Sequence, residues 1–500
     1  MRHFLPWVSL TALVMLPAAA CSSDDDGAAP EPSGHIAIFL ERDDASQPNP
    51  VRVTVQLTDA AGNPDLGKSI TVEAEGGDAG SVVEDGEGLY SAVVVPAVAG
   101  GATGEVRIVA TSGARRAEAW AVVLPQIDST WGQPERVPGL VNTDGTEDSP
   151  EVSPDGNWLI VSTYSPVDLQ CCLAGAALPG CSGEPRAVSN PACSASLGPY
   201  AGPERPDMLG ASRIRSATEI DHTAPRVGIT TAGDAVPPTA AYGFRRQEDG
   251  SFGDPFVIGL DMDGFTYAPF GFSFVGTPTQ AEPPEPQRAA LLFSFLPLQA
   301  PQNYSDLFFV EATLGEKILL GSYSAPSGQP VTDDFLPLTL PLNPLEQHQS
   351  NPSFGGRQVW FDSEVAADEE RDLFFATTAG TLPDTALAPT ARVGVSAPGV
   401  AEYQPYFDAP STRLFFSKNF NAVVSSHYEG GDPAKSASWS EVRTELSVGG
   451  LVGGVGAVSS IGEPSLARLD DGSEWLYFAY YVRRDGRYDG SIGRVRRRPE

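Results

Sequence analysis

The feature of this 500-residue sequence that most constrains its fold is a recurring unit in which a proline leads through a turn into a short apolar strand. The clearest copy, at 147–162, reads Glu-Asp-Ser-Pro-Glu-Val-Ser-Pro-Asp-Gly-Asn-Trp-Leu-Ile-Val-Ser. Weaker copies follow along the chain. The prolines that begin successive copies stand 44 to 83 residues apart, which predicts repeated supersecondary units of about 40–50 residues with loop insertions. The prolines that mark the copies are Pro150, Pro225, Pro269, Pro352, Pro405 and Pro464.

This unit resembles the repeat of TolB-type (WD-like) β-propellers, whose blades are four-stranded sheets. The resemblance implies a six-bladed propeller over residues 126–500, or seven blades if the interval between Pro269 and Pro352 contains another. Only 36 residues follow the last proline, so we expect the segment 131–137 to supply a missing outer strand. We also expect the repeated Phe, Trp and Tyr side chains to pack between blades, and Asp155-Gly156 to form a hairpin turn.

Residues 35–125 alternate apolar and polar side chains in about seven short runs, which predicts a small β-sandwich. Within this region, residues 59–72 resemble the turn and following strand of bacterial immunoglobulin-like domains of the invasin and intimin type. Gly62 and Asn63 suit positive φ there, and Gly88-Leu89-Tyr90 fits a second hallmark. The resemblance implies a spacer or binding module. The predicted fold class is therefore all-β, an immunoglobulin-like sandwich followed by a propeller.

The N-terminus has the pattern of an export signal. Arg2 precedes an apolar run that is too short to span a bilayer as a mature helix. The sequence Ala18-Ala19-Ala20-Cys21 then resembles the lipobox of bacterial lipoproteins, although Ala18 stands where leucine is commonest. The resemblance implies removal of residues 1–20 and lipidation of Cys21. The alternative is an ordinary signal peptide that leaves a free cysteine.

Residues 21–34 have almost nothing to bury and predict a flexible acidic tether. Ser22 follows the cysteine, and by the sorting rule of well-studied Gram-negative bacteria a residue other than aspartate favours the outer membrane over the inner one. The expected location is thus the cell envelope, with lipid as the contact to the membrane.

A glycine- and proline-rich insertion at about 167–205 carries four cysteines, which in an exported protein most simply form two disulfides. Three connectivities are possible. Because a bond between adjacent cysteines is strained, each member of the adjacent pair is expected to join one of the other two. Zinc is the rival explanation, but its ligand pairs usually stand two to four residues apart. The cysteines are Cys171, Cys172, Cys181 and Cys193.

Two histidines, His222 and His348, precede strand-start prolines and are candidate ligands at the mouth of the propeller channel. The simpler interpretation is that both are surface or hydrogen-bonded loop residues. The sequence contains no H-E-x-x-H motif, no phosphate-binding glycine loop and no complete calcium loop. We therefore predict neither a metal nor a cofactor.

The 64 acidic and 32 basic residues give a net charge of −32, which argues against a nucleic-acid partner. No G-x-S-x-G nucleophile motif is present, and no catalytic residue is assigned. The favoured function is a non-catalytic envelope lipoprotein that presents a protein- or glycan-binding module on a stalk. The alternative is a polysaccharide-acting enzyme, a glycosidase or lyase, with carboxylates at the channel.

Overall fold

In the residues that it describes, the computed structural model is built from β-strands, with a short 3-10 turn at Ser436–Ser438. No helix among the described residues has the length and apolarity needed to cross a bilayer. The residues that the structure describes are 34–42, 50–97, 104–142, 146–165, 241–263, 267–280, 285–297, 306–315, 318–324, 336–337, 349–364, 371–382, 387, 390–449, 457–484 and 487–499.

The first eight strands form two antiparallel sheets. Sheet A has the order β1-β2-β6-β4, with β5 also paired to β6, and sheet B contains β8, β7 and β3 in that order. The strands are β1 (His35–Arg42), β2 (Val51–Thr58), β3 (Thr71–Glu75), β4 (Gly77–Ala79), β5 (Val83–Gly86), β6 (Leu89–Pro96), β7 (Glu105–Ser112) and β8 (Arg115–Val122).

One apolar core lies between sheets A and B. Alternate residues of β2, from Val51 to Leu57, are fully buried, and they pack with Ile108 of β7 in a single cluster. The residues between them in β2 face outward, as the period of two in a strand requires. The predicted two-sheet sandwich is confirmed at this level.

Five further antiparallel sheets follow, which we number 1 to 5. Their strands are β9 (Gln126–Ile127), β10 (Glu135–Arg136), β11 (Thr146–Val152), β12 (Trp158–Ser165), β13 (Ala241–Arg246), β14 (Phe252–Asp263), β15 (Tyr267–Phe274), β16 (Arg288–Pro297), β17 (Asp306–Thr313), β18 (Ile318–Ser324), β19 (Leu336–Pro337), β20 (Gln349–Gly355), β21 (Gln358–Glu364), β22 (Arg371–Thr377), β23 (Ala391–Arg392), β24 (Glu402–Asp408), β25 (Arg413–Lys418), β26 (Ala422–His427), β27 (Arg443–Ser447), β28 (Val458–Arg468), β29 (Glu474–Arg484) and β30 (Arg487–Arg496).

Each of these sheets has a core of four strands. Sheet 1 is β11-β12-β13-β14 with β18 added in parallel, sheet 2 is β15-β16-β17-β19 and sheet 3 is β20-β21-β22-β23. Sheet 4 is β24-β25-β26-β27 with β9 added, and sheet 5 is β28-β29-β30-β10. The first strands of successive sheets contact one another, and the first strand of sheet 5 contacts that of sheet 1.

The second strand of each sheet is buried on both sides. In β12, Ile160 packs towards sheet 2, whereas Leu159 and Val161 pack towards sheet 5. In β21, Trp360 packs towards sheet 4 and Phe361 towards sheet 2. Five apolar clusters thus fill the five spaces between consecutive sheets, including the space between the last sheet and the first. The predicted packing of the repeated aromatic residues between units is confirmed.

The expected number of units was wrong for the described residues, which form five four-stranded sheets and not six. Pro225 lies outside the described residues, in the segment between β12 and β13, and these two strands pair directly with each other. Pro269 is not equivalent to the other marker prolines either. Phe272, three residues later, stands where they stand in the other first strands, at the register shift between Phe270 and Ser273.

The strand β10 joins the sandwich to the five sheets. It pairs with β30 on one side, as expected for the segment 131–137, and with β8 on the other. Sheet B is consequently continuous with sheet 5, in the order β28-β29-β30-β10-β8-β7-β3. The hydroxyl of Tyr480 on β29 also donates to Glu105 of β7, at 2.5 Å. Hydrogen bonds therefore cross from the sandwich to the last sheet.

A buried tryptophan and a buried carboxylate hold this junction to sheet 4. Trp131 is fully buried, and its Nε1 donates to Oε2 of Glu445 at 2.6 Å. Arg413 and Arg443 lie within ion-pair distance of the same carboxylate. A buried carboxylate is stable only while it keeps such partners.

We expect Trp131→Phe to destabilise the protein by about 1–3 kcal/mol, because the ring is largely kept while Glu445 loses a buried hydrogen bond. The measurement is the midpoint of urea unfolding followed by circular dichroism. The matched control is Trp120→Phe, since Trp120 is partly exposed and donates to the surface residue Glu118. Equal midpoints for the two variants would contradict a structural role for the buried contact.

Candidate functional site

The five first strands share a backbone distortion at the point where they approach one another. One residue in each strand has φ between 49° and 58°, in the left-handed region. The pairing register shifts at this residue in β15, β20, β24 and β28, so it lies in a β-bulge. These left-handed residues are Ser149, Gly271, Asn351, Gln404 and Glu463.

Proline follows the left-handed residue in four of the five strands, at Pro150, Pro352, Pro405 and Pro464. Proline has no N–H, so it leaves no backbone donor unpaired where the bulge interrupts the ladder. This is the structural reason for the proline that marks the repeat in the sequence. In β15 the position is taken by Phe272, after a glycine that adopts positive φ without steric cost.

Side chains from the second strands connect the left-handed residues to the preceding sheet. Ser294 Oγ accepts from the backbone N–H of Asn351 at 2.8 Å, and Ser417 Oγ accepts from that of Glu463 at 2.7 Å. Asp362 takes the same place in sheet 3 and accepts from the N–H of Gln404 at 2.9 Å. The serine that ends the second strand of the sequence repeat therefore holds neighbouring sheets together.

Asp362 is fully buried and carries the most elaborate of these connections. Its carboxylate also accepts from Asn351 Nδ2 at 2.7 Å and from Arg371 Nη1 at 2.9 Å. Burial raises the pKa of Asp362, and Arg371 is the strongest of the partners that oppose the increase. The Asp362 carboxylate therefore links sheets 3 and 4 through hydrogen bonds.

A small cavity lies where the first strands meet. Its volume is about 30 Å³, which is room for about two water molecules. The lining contains two carboxyl side chains and no lysine, arginine or histidine. The lining residues are Ser149, Pro150, Glu151, Gly271, Phe272, Asn351, Pro352, Gln404, Pro405, Glu463 and Pro464.

Glu151 is the more buried of the two carboxyl groups, at 7% exposed. Its Oε1 accepts from the backbone N–H of Phe274, at 3.3 Å. Burial raises the pKa of Glu151 to about 8 and outweighs the opposing hydrogen bonds from Ser465, Phe274 and Ser273. This side chain is therefore a neutral acid over most of the physiological range.

Glu463 belongs to a second cluster beside the cavity, together with Asp148 and Tyr481. Burial and the neighbouring Asp148 carboxylate raise the pKa of Glu463 well above its usual range, and burial raises the pKa of Asp148. The pKa of the Tyr481 hydroxyl is also raised, by burial and then by the two carboxyl groups. Gln404 Nε2 donates to Glu463 Oε1 on the other side. Such a cluster is able to hold or exchange a proton.

The cysteines and histidines that the sequence predicts as site residues fall in parts of the chain that the structure does not describe. Cys21, His222, His348 and the four cysteines of the insertion lie outside the described residues: Cys171, Cys172, Cys181 and Cys193. In the described part of the chain, no group of three or more His, Cys, Asp or Glu side chains is arranged to hold a metal ion.

Sequence reasoning missed Asp148, Glu151, Gln404 and Glu463 as site residues. All four flank the marker prolines, so a signal was present in the acidic and amide side chains around each proline. The missing information was that five such positions from distant parts of the chain meet at one cavity.

No family model matches the sequence, and no curated protein matches it. Similar solved structures include an N-acetylgalactosamine deacetylase from F. plautii in complex with blood group B trisaccharide, which is 10% identical, with 73% of this chain and 94% of that chain covered and a TM-score of 0.39. A protein of unknown function from Dyadobacter fermentans DSM 18053 is 10% identical, with 93% and 94% covered and a TM-score of 0.33.

The adhesin InvE of Yersinia pseudotuberculosis is 20% identical, and the match covers 26% of this chain and 35% of the adhesin, with a TM-score of 0.16. The present chain thus corresponds to about a third of that protein. Likenesses at these TM-scores assign neither a fold nor a function to this chain.

The raised pKa of Glu151 predicts a pH dependence of stability. The group titrates near 8 in the folded chain and has an ordinary value of 4.5. Between these values the folded state holds a proton that the unfolded state releases, so raising the pH favours unfolding by up to about 1.4 kcal/mol per pH unit. Glu151→Gln removes the group that binds this proton. We therefore expect the stability of the variant to fall less than that of the wild type from pH 5 to pH 8.

Urea-unfolding midpoints at pH 5, 6.5 and 8 measure the effect. Glu73→Gln is the control, because Glu73 is exposed on β3 and its replacement should leave the slope unchanged. Parallel slopes for the wild type and Glu151→Gln would show that Glu151 is not a buried acid.

Proposed function

We propose that this chain is a non-catalytic binding protein of the bacterial cell envelope, in which sheets 1 to 5 are the blades of a five-bladed β-propeller on an immunoglobulin-like base. The observation that carries the proposal is the unbroken series of contacts among five first strands around a cavity of about 30 Å³. A space for about two water molecules does not admit a sugar ring or a peptide. We therefore place the binding of a partner at the outer surface.

The surface best suited to binding is the one formed by the N-terminal ends of the first strands and the C-terminal ends of the second strands, which we call the N-terminal face. The register of β11 with β12 places Thr146 opposite Ser165, so the second strand of sheet 1 ends at this face. Loop insertions on a rigid sheet scaffold are where binding residues concentrate.

A strained hairpin on the N-terminal face supports this choice. Asn419 and Phe420, between β25 and β26, both have positive φ, at 52° and 50°. The left-handed conformation costs roughly 1–2 kcal/mol for a residue such as phenylalanine. Phe420 is nevertheless 42% exposed, and its ring stacks on Tyr403 with the centroids 4.1 Å apart.

Neighbouring segments hold this hairpin in its strained form. The N–H of Asn419 donates to the carbonyl of Ala401 at 2.8 Å, and the N–H of Ile461 and the hydroxyl of Ser460 donate to the carbonyl of Phe420. Strain that the surroundings fix in this way is typical of functional sites. A rigid, exposed aromatic ring is a suitable anchor for a protein or a glycan.

The second candidate function is an enzyme that acts on polysaccharide. The observation in its favour is the cluster of Asp148 and Glu463, because carboxyl groups of raised pKa are what a general acid requires. The volume of the cavity is the observation against it. A glycosidase needs a sugar ring between its two carboxyl groups.

The proposal includes the predicted anchor. Lipid on Cys21, in the outer membrane, would hold the sandwich near the bilayer, and hydrogen bonds across β8, β10 and β30 would hold the five sheets at a defined distance beyond it. Disulfides among the four cysteines of the insertion would cross-link a loop on the N-terminal face. Export through the envelope supplies the oxidising conditions that these bonds need.

The binding proposal predicts that Phe420→Ala reduces the recovery of a specific envelope protein or glycan by at least tenfold, because the exposed anchor is lost. Intact lipidated protein is cross-linked in cells and purified, and the co-purifying material is quantified by mass spectrometry. The control is Leu66→Ala, which removes an exposed apolar side chain from the sandwich. Equal recovery with the wild type, Phe420→Ala and Leu66→Ala would overturn the proposal for this face.

Hydrolysis of polysaccharide by the purified protein, lost in Glu463→Gln and retained in Glu73→Gln, would favour the enzyme instead. Release of reducing sugar from a panel of neutral and acidic polysaccharides is the measurement.

The anchor has a separate test. We expect Cys21→Ser to abolish incorporation of radiolabelled palmitate and to move the protein from the membrane fraction to the soluble fraction, because its membrane contact is lipid. The control is Cys181→Ser, which leaves the lipobox intact. Retention of Cys21→Ser in the membrane fraction would contradict lipid anchoring.

A further inference from the structure

Exposed apolar side chains are concentrated on the sandwich and not on the five sheets. Among the described residues, four of the five large hydrophobic side chains that are exposed belong to the sandwich. They are Phe39 at 51%, Leu66 at 56%, Val83 at 57% and Val95 at 51%. This concentration marks a surface, since exposed apolar residues that have no role are usually scattered singly.

The strand register places three of these side chains on the outer face of sheet A. In β1, Ile38 and Leu40 pack against the core, so Phe39 between them points outward. Phe39 lies opposite Thr54 of β2, Thr54 lies opposite Ser91 of β6, and Ser91 lies opposite Val83 of β5. One row across the sheet thus has an exposed apolar side chain at each end.

Two further residues of β6 extend the apolar surface along the strand. Val93 is half-buried and Val95 is half-exposed, and both have the outward parity of Ser91, because Ala92 and Val94 face the core. The surface is defined by Phe39, Val83, Val93 and Val95, and we call it the apolar face of sheet A.

Carboxylates surround this face. Asp78 of β4 lies directly opposite Val95, and the exposed Asp85 stands two residues from Val83, at the register shift of β5. Glu41 stands two residues from Phe39 and is also exposed. Arg52, on the same face, lies opposite Glu41. The rim is therefore predominantly acidic, like the chain as a whole, whose net charge is −32.

We propose that the apolar face of sheet A is a docking surface for a basic amphipathic segment of a partner protein, one in which apolar side chains alternate with lysine or arginine. Charge complementarity selects this occupant: the apolar side chains cover Phe39, Val83 and Val95, and the cationic groups meet Asp78, Asp85 and Glu41. A second copy of the chain would bring a like-charged rim against this one, and an anionic lipid surface would be repelled.

This inference is independent of the proposed binding at the N-terminal face, because none of its residues belongs to the five sheets. It assigns to the sandwich a binding role in addition to that of a base. Sheet B, on the opposite side of the sandwich, continues through β10 into sheet 5, so the outer face of sheet A is the side that faces away from this junction.

The test uses the full chain and a fluorescein-labelled twelve-residue peptide of alternating leucine and lysine, with fluorescence anisotropy measured in 150 mM salt. The triple variant Phe39→Ser, Val83→Ser, Val95→Ser keeps every charge of the protein, so it separates the apolar face from general attraction to an acidic chain. We expect its Kd to be at least tenfold weaker than that of the wild type. Leu66→Ser, which removes an exposed apolar side chain of the sandwich outside this face, should bind as the wild type does.

The acidic rim is tested by the double variant Asp78→Asn, Asp85→Asn. We expect it to bind the leucine–lysine peptide more weakly than the wild type, with a Kd that depends less on salt. A peptide of alternating leucine and glutamate should not bind. Equal affinities of the wild type and the triple variant would overturn the proposal. So would dimers of the wild type in sedimentation velocity that the triple variant lacks, or binding of the wild type but not the triple variant to phosphatidylglycerol vesicles. Circular dichroism is the control for folding. We expect the variants to be folded, because the substituted side chains are exposed.

Discussion

The pairing of β10 with β30 is the interaction on which the rest of the structure depends. The last sheet reaches four strands only because a segment that precedes the first sheet supplies the outermost strand. This pairing brings two parts of the chain together that are more than 350 residues apart, and it covers an edge that would otherwise expose unpaired backbone groups. The same short strand pairs with β8, so β10 both completes the last sheet and attaches the sandwich to it.

The packing of sheet 5 on sheet 1 also explains why the second strands are apolar on both faces. Because sheet 5 packs on sheet 1, every second strand has a neighbour on both faces, and neither face can be polar. Runs such as Leu159-Ile160-Val161 and Trp360-Phe361 satisfy this requirement. Each fully buried side chain of this size contributes about 1.5–3 kcal/mol. The five interfaces therefore stabilise one another, and a defect in one is felt by its two neighbours.

The centre of the five sheets is polar, in contrast to the spaces between them. Asp362 is held there by Arg371, Asn351 and a backbone N–H, while Glu151 is held mainly by neutral donors. The first is balanced by an opposite charge. The second remains protonated, because burial disfavours its charged form and no cation lines the cavity. The centre thus combines a buried carboxyl group that faces an opposite charge with a buried acid whose pKa is raised.

The two proposed binding surfaces, the N-terminal face with Phe420 and the apolar face of sheet A with Phe39, lie on different sheets. Hydrogen bonds through β10 connect sheet B of the sandwich to sheet 5, so the sandwich is not joined to the five sheets by a linker alone. The sequence analysis predicted that the sandwich acts as a stalk and that the propeller is the part that binds. The structure instead gives both parts exposed apolar side chains, and most of these lie on the part that was expected to be the spacer.

The sequence by itself determined the all-β character, the two-sheet sandwich and the position of the strands around Pro150, Pro352, Pro405 and Pro464, because alternation and turn residues are local properties. Tertiary structure alone decided the number of sheets: Pro225 resembles a repeat marker locally, but β12 and β13 pair across it. It also decided which polar residues matter. Glu151 and Glu463 read as ordinary strand residues, and only their burial where the first strands meet raises their pKa values.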